Sequence, residues 1–204
     1  MKKTIILASN NEHKLVELRE KLRPFGIEVL SQREAGYDIE VDETGTTFEA
    51  NAELKAEAIF RLSHTPTIAD DSGLMVDAIG GQPGVYSHRF AGPNATDDDR
   101  INKLLGLLQD TPDEQRTARF RTAICYIDET GQKHIFEGTC EGTIGHEKKG
   151  ENGFGFDPVF VYEGRTFAER TREEKNKVSH RGRAIGKFIE YIEELNKEAI
   201  RWKL

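Results

Sequence analysis

The fold class turns on one stretch: Thr4-Ile5-Ile6-Leu7-Ala8-Ser9-Asn10-Asn11-Glu12-His13-Lys14-Leu15-Val16-Glu17-Leu18. Its first five residues are β-branched or apolar, the pattern of a short buried strand. Ser9-Asn10-Asn11 ends that run. Leu15, Leu18 and Leu22 then fall on one face of a helix that Pro24 and Gly26 stop. A strand that hands over directly to a helix is the usual opening of an α/β chain.

Working outward, an acidic loop runs from Glu34 to Gly45, after which Phe48, Ala52, Ala56 and Ile59 repeat at helical spacing. Thr67-Ile68-Ala69 reads as a short strand ending in Asp70-Asp71-Ser72-Gly73. Gly80-Gly81, Pro83-Gly84 and Gly92-Pro93 punctuate a long loop. Thr96 is a good N-cap for a helix carrying Ile101, Leu104, Leu105 and Leu108, with Asp97 to Asp99 in its first turn. Ala118 to Ile127 and Lys133 to Thr143 read as antiparallel strands joined by a turn at Asp128-Glu129-Thr130-Gly131. A Gly-rich loop reaches Gly153-Phe154-Gly155-Phe156-Asp157-Pro158, and two helices follow, around Ala168 to Lys177 and from Arg181 to about Lys197. Strands that alternate with helices and then pair with one another predict a mixed sheet flanked by helices.

The chain has 204 residues, 36% hydrophobic and 32% charged, with a net charge of −7. That length suits one α/β domain, with room for two lobes sharing a sheet, and buries a core without staples. The acidic balance argues against a surface that grips nucleic acid, so any nucleotide binding must rest on a few placed Lys and Arg. Cys125 and Cys140 lie on separate predicted strands and read as small buried residues of a reducing compartment. The apolar run after Met1-Lys2-Lys3 is too short for a signal peptide, and no stretch approaches a membrane span. The cytoplasm is the expected location.

Four groups of residues carry candidate chemistry. Ser9, Asn11 and Lys14 sit at a strand-to-helix junction, where free N–H groups and the helix dipole attract anions. Taken alone, capping by Asn11 with Lys14 in solvent explains them more simply. Asp42-Glu43 in a loop and Asp70-Asp71 after a strand offer oxygen ligands to Mg²⁺, or to Mn²⁺. An ordinary acidic loop and an Asx-turn into Gly73 account for the same residues. Phe154-Gly155-Phe156-Asp157 could stack on a purine, or could tuck its rings into a core. Ser179 is a plausible N-cap that places His180 and Arg181 in a helix first turn, where cations are disfavoured unless an external anion or carbonyl-rich ligand compensates. A solvated basic cluster is the competing reading for them and for Lys175. Lys55, on the helix behind the acidic loop, is uninformative alone.

Together these segments resemble the inosine/xanthosine triphosphate pyrophosphatase family. The motifs are Ser9-Asn10-Asn11-Glu12-His13-Lys14, Glu43-Thr44-Gly45, Ala69-Asp70-Asp71-Ser72-Gly73-Leu74, Gly81-Gln82-Pro83-Gly84-Val85-Tyr86-Ser87, Gly153-Phe154-Gly155-Phe156-Asp157-Pro158 and Ser179-His180-Arg181-Gly182. They run in order from Thr4 to about Leu195, and several collinear motifs are far more specific than any one.

The resemblance implies an elongated α/β fold with a mixed sheet and a substrate cleft between two lobes. It also implies one catalytic domain over residues 1–204, usually a homodimer. By the family pattern, Ser9, Asn10, Asn11, Glu12, His13 and Lys14 hold the triphosphate with help from Lys55. Asp42, Glu43 and Asp71 hold Mg²⁺, and Asp71 also accepts the proton. Ser72, Phe154, Gly155, Phe156, Asp157, Lys175, His180 and Arg181 contact the substrate. This chain departs from the pattern at Asp42, where relatives often carry Glu, and at Asn10, where Gly is common. The first departure leaves the metal ligand open between Asp42 and Glu43. The implied reaction is hydrolysis of ITP, dITP or XTP to the monophosphate and pyrophosphate. A pyrophosphatase for modified pyrimidine nucleotides and a non-catalytic nucleotide sensor are the rival readings.

Overall fold

A computed structural model describes residues 3–201. In chain order the elements open with β1 (Lys3–Leu7), α1 (Glu12–Leu22), β2 (Ile27–Ser31), α2 (Phe48–Ser63), β3 (Thr67–Val76) and β4 (Gln82–Pro83). They continue with α3 (Asp97–Leu107), β5 (Thr117–Ile127), β6 (Lys133–Ile144), β7 (Phe160–Tyr162), β8 (Arg165–Thr166), α4 (Arg172–Val178) and α5 (His180–Arg201). Parallel and antiparallel pairs coexist, so the sheet is mixed, and helices flank it as the alternation of strands and helices predicts.

The chain divides into two compact units. The first holds the described residues up to Asp71, Ala123–Glu137, and those from Ala184 onward. Its strands run in the order β2-β1-β3-β5-β6. β1 is parallel to β2, Lys3 opposite Ile27, and parallel to β3, Ile6 opposite Thr67. Side chains alternate along a strand, and here that alternation sorts two cores. Ile5, Leu7 and Ile68 join Leu15, Leu18 and Leu22 of α1 with Ile185 and Phe188 of α5. Ile6, Ala8 and Ala69 point the other way, onto Ala52, Ala56 and Ile59 of α2.

The second unit holds Ser72–Thr122 and Gly138–Arg183. In it β3 pairs antiparallel with β4, while β6, β7 and β8 pair antiparallel in turn. Leu74, Val76, Ile101, Leu104, Phe156, Phe160 and Phe167 belong to its core. Arg116 is buried and spends its guanidinium on the carbonyls of Leu108, Ile144 and Gly145, at 2.7–2.8 Å. These bonds tie the end of α3 to the end of β6.

Several sequence expectations hold locally. Asn11 caps α1, accepting from Lys14 N–H, and Gly26 (φ 66°) closes the turn containing Pro24. Thr96 caps α3 in a capping box with Asp99, an arrangement worth about 1 kcal/mol. Ser179 Oγ accepts from Gly182 N–H at the start of α5. Both thiols are free and buried, and burial pushes Cys125 up to about 12 and Cys140 up to about 11. Among the described residues no helix is long and apolar enough to cross a membrane.

Other expectations need correction. β3 does not stop at Ala69 but runs on to Val76, so Asp70-Asp71-Ser72-Gly73 is strand, not turn. Turn-forming side chains hold extended backbone there because their polar groups find partners on the flanking helices. β2 is an element the apolar pattern did not reveal. The helix expected from Ala168 starts at Arg172, because Phe167–Glu169 form a separate 3-10 turn and Thr171 caps α4 directly. The long loop from Gly80 to Pro93 contains β4 and a 3-10 segment at Gly84–Arg89.

Candidate active-site residues

In the first unit, strand alternation distributes the acidic pair. Asp70 follows Ile68 onto the α1 side, and its carboxylate meets Lys14 Nζ at 2.9 Å. Asp71 follows Ala69 onto the α2 side. There Asn51 Nδ2 donates to its Oδ2 at 3.0 Å, and Lys55 Nζ lies 3.6 Å from its Oδ1. Asn51 and Lys55 are four residues apart on α2, hence on one face. Lys55 also donates to Glu43 Oε1 at 2.6 Å. Glu43, Asp70 and Asp71 therefore gather around two ammonium groups, and Asp42 beside them is exposed.

The electrostatics follow from burial. Desolvation pushes the Asp71 carboxyl above the usual aspartate range. The Lys55 charge and the Asn51 hydrogen bond oppose that rise, while Glu43 and Asp70 add to it. Burial also works against the charge on Lys55. Asp70, Asp71 and Glu43 outweigh it and hold Lys55 above the ordinary lysine value. A buried carboxylate of raised basicity is suited to taking a proton.

At the junction of β1 and α1, Ser9 Oγ accepts from Asn11 N–H at 3.1 Å. Asn10, Asn11, Glu12 and His13 are exposed, and Lys14 turns inward to Asp70. The side chains expected to meet phosphate thus sit at the C-terminal end of a parallel strand, where open α/β sheets bind ligands.

In the second unit the two phenylalanines part company. Phe154 is 52% exposed, whereas Phe156 is 4% exposed and packs edge-on against Phe90. Of the two readings the sequence left open for this loop, the Phe156 ring takes the core one. Asp157 organises the loop, accepting from Phe154 N–H at 2.9 Å and from Lys175 Nζ at 2.5 Å. Gly153 (φ 78°) is required beside it, since a Cβ would come 2.0 Å from Asp157 Oδ2. Lys175 Nζ lies 4.8 Å from the centre of the Phe154 ring, a cation–π contact. Gly155 donates to Asp97 Oδ2 at 2.7 Å. His180 is buried and stacks on Phe120, ring centres 4.7 Å apart and planes 13° from parallel. Arg181 and Ser72 are partly exposed in the same unit.

The expected residues thus form two groups. Ser9, Lys14, Glu43, Lys55 and Asp71 lie in the first unit; Phe154, Asp157, Lys175, His180 and Arg181 lie in the second. Sequence reasoning offered Asp70 as an oxygen ligand beside Asp71 but gave no hint of its pairing with Lys14, and it passed over Asn51, which is fully buried. The one signal for Asn51 was a polar residue beside the apolar stripe of α2, one turn from Lys55.

Fold and side chains define the class: an α/β protein with a carboxylate–lysine cluster in one unit and an aromatic–cationic group in the other. The Ham1 family model matches residues 5–191, and the chain belongs to the Ham1 family. It is 45% identical over 94% of its length to the dITP/XTP pyrophosphatase of Bacillus subtilis, covering 98% of that protein. It is 47% identical to the dITP/XTP pyrophosphatase of Desulforamulus reducens, over 94% of this chain and 96% of the relative. The solved structure of a HAM1 protein from Coxiella burnetii superposes with a TM-score of 0.89 at 41% identity, covering 94% of this chain and 99% of that one.

Proposed function

We propose that this protein hydrolyses non-standard purine nucleoside triphosphates (ITP, dITP and XTP) to the monophosphate and pyrophosphate. The observation that carries the reading is Asp71: a buried, basic carboxylate held between Asn51 and Lys55, in a chain close to half identical to enzymes named for dITP and XTP. Neither relative is named for a pyrimidine substrate, and a cluster of this chemistry would be superfluous in a silent sensor.

In this reading the first unit handles the triphosphate. Asp71 orients and deprotonates the water that attacks the α-phosphorus in line. Lys14 and Lys55 exchange carboxylates for phosphate oxygens and stabilise the charge on departing pyrophosphate. Ser9 and the exposed Asn10 to His13 segment bind the phosphate tail at the start of α1.

The donor set suits Mg²⁺, since Glu43 and Asp71 offer hard oxygen ligands. Glu43 is preferred over Asp42 because its carboxylate already reaches Lys55, the neighbour of Asp71. Among the described residues no three His, Cys, Asp or Glu side chains form a complete cage. Mg²⁺ commonly keeps waters and shares phosphate oxygens, so two protein carboxylates can serve it. When bound, it would neutralise the phosphates; Mn²⁺ would serve as well.

The second unit reads the base. Phe154 supplies a stacking face, and His180 or Arg181 donates to the 6-oxo group that hypoxanthine and xanthine share. Adenine presents an amino donor at that position and leaves the site's donors unpaired. Ser72, Asp157 and Lys175 complete the contacts. We further propose that residues 1–204 act as one catalytic domain, that the enzyme is a cytoplasmic homodimer, and that it does not bind nucleic acid.

The test is a panel of dITP, XTP, dGTP, dUTP and dTTP with Mg²⁺, following pyrophosphate and monophosphate together. Preference for dITP and XTP is expected. Equal turnover of dUTP, or release of orthophosphate in place of pyrophosphate, would remove this function.

A further inference from the structure

We infer that Asn51 is a positioning residue for the proposed reaction: its amide sets the Asp71 carboxylate and the Glu43 loop in one fixed relation. The inference rests on the functional reading above and adds a residue to it.

Asn51 is fully buried on α2, and both ends of its amide are engaged. Its Oδ1 accepts from Gly45 N–H at 2.8 Å, and its Nδ2 donates to Asp71 Oδ2 at 3.0 Å. Chemistry dictates that orientation. A backbone N–H can bond only the amide oxygen, so the NH₂ must face the carboxylate, which can only accept when ionised. Gly45 is two residues beyond Glu43, and its approach is close: a Cβ there would lie 2.6 Å from Asn51 Oδ1. One amide therefore locks the loop that carries Glu43 to the carboxylate that takes the proton.

Supporting partners of this kind typically change activity about 10- to 100-fold when removed. Asn51→Asp is isosteric and keeps an acceptor for Gly45, but it loses the donor to Asp71. We expect kcat for dITP to fall by about 10- to 100-fold. The dissociation constant of the non-hydrolysable α,β-methylene analogue of dITP should stay within about threefold, as fits a group that acts on the reaction and not on nucleotide binding. Gly45→Ala crowds the same oxygen from the loop side and should lower kcat by about 10-fold. The double variant should be no worse than N51D alone, because both changes act through one contact.

Circular dichroism and thermal melts check each fold; should N51D not fold, Gly45→Ala decides on the same two constants. A folded variant with wild-type kcat, or one impaired only through analogue binding, overturns the inference. A wild-type protein that fails to turn over dITP instead overturns the functional reading beneath it.

Discussion

The two groups of candidate residues are built differently. In the first unit, Asp70 and Asp71 stand on β3, Lys14 on α1 and Lys55 on α2, each meeting an opposite charge or a packed amide, while Glu43 comes from a loop that Asn51 grips at Gly45. In the second unit, Phe154 stands on a loop shaped by Gly153, Gly155 and the single carboxylate of Asp157. Groups that must be placed within a fraction of an ångström belong on rigid elements, and groups that meet a planar surface tolerate a loop. The contrast fits the proposed reading, in which the first unit carries the chemistry and the second the recognition.

Substitutions can break that contrast, and the largest effect is expected at Asp71. Asp71→Asn should cut turnover between about 100- and 10,000-fold, the range for a lost general base, while calorimetry finds the nucleotide still bound. Retained turnover would remove Asp71 from the mechanism. Phe156→Ala should act through stability, lowering it by about 3–5 kcal/mol in denaturant melts, because the ring is core. Phe154→Ala should do the reverse. It should leave the melt unchanged and weaken dITP binding by about 1–3 kcal/mol, the value of a lost stacking face. If the two phenylalanines exchange these phenotypes, the division of labour in the loop is wrong.

The smallest effect sharpens the comparison by probing a charged group of the first unit that lies outside the site. At the turn between β5 and β6, Asp128 Oδ1 accepts from Thr130 N–H and Oγ and from Gln132 N–H, and Oδ2 meets His134. Burial works against its charge, but these bonds outweigh burial and bring it from 3.8 to about 2. A carboxylate depressed in this way stabilises the fold above its unfolded value and loses that contribution as pH falls through the folded one. Asp128→Asn should therefore cost about 1–2 kcal/mol at pH 7. The difference from wild type should shrink between pH 4 and about pH 2. A gap that persists unchanged at pH 2 would show that the turn does not depend on this charge.

Much of the fold was legible where apolar residues keep strict periods and polar residues cap helices. The strand at Thr4, the Leu15-Leu18-Leu22 stripe and the caps at Asn11 and Thr96 are local signals, and local physics decided them. What failed depended on distant partners. Asp70 and Asp71 read as turn formers until Lys14, Asn51 and Lys55 arrive from elsewhere in the chain to satisfy them within a strand. Asn51 looks like a neutral helix residue until Gly45 folds back on it. Phe154 and Phe156 are the same residue type two positions apart, and only tertiary packing, with Phe90 and the rest of the second core around Phe156, separates core from surface. The family resemblance supplied the grouping of distant motifs that spacing alone could not.

The two cysteines carry a last consequence. The thiolate is the form that attacks an alkylating reagent and displaces its leaving group, and with Cys125 pushed up to about 12 the native chain holds only about one part in 10⁵ of that species at neutral pH. Each unit contains one such silent sulfur, Cys125 in the first and Cys140 in the second. Timed labelling with a thiol reagent, read by peptide mass, would thus clock the opening of each unit separately, with no probe engineered into the chain.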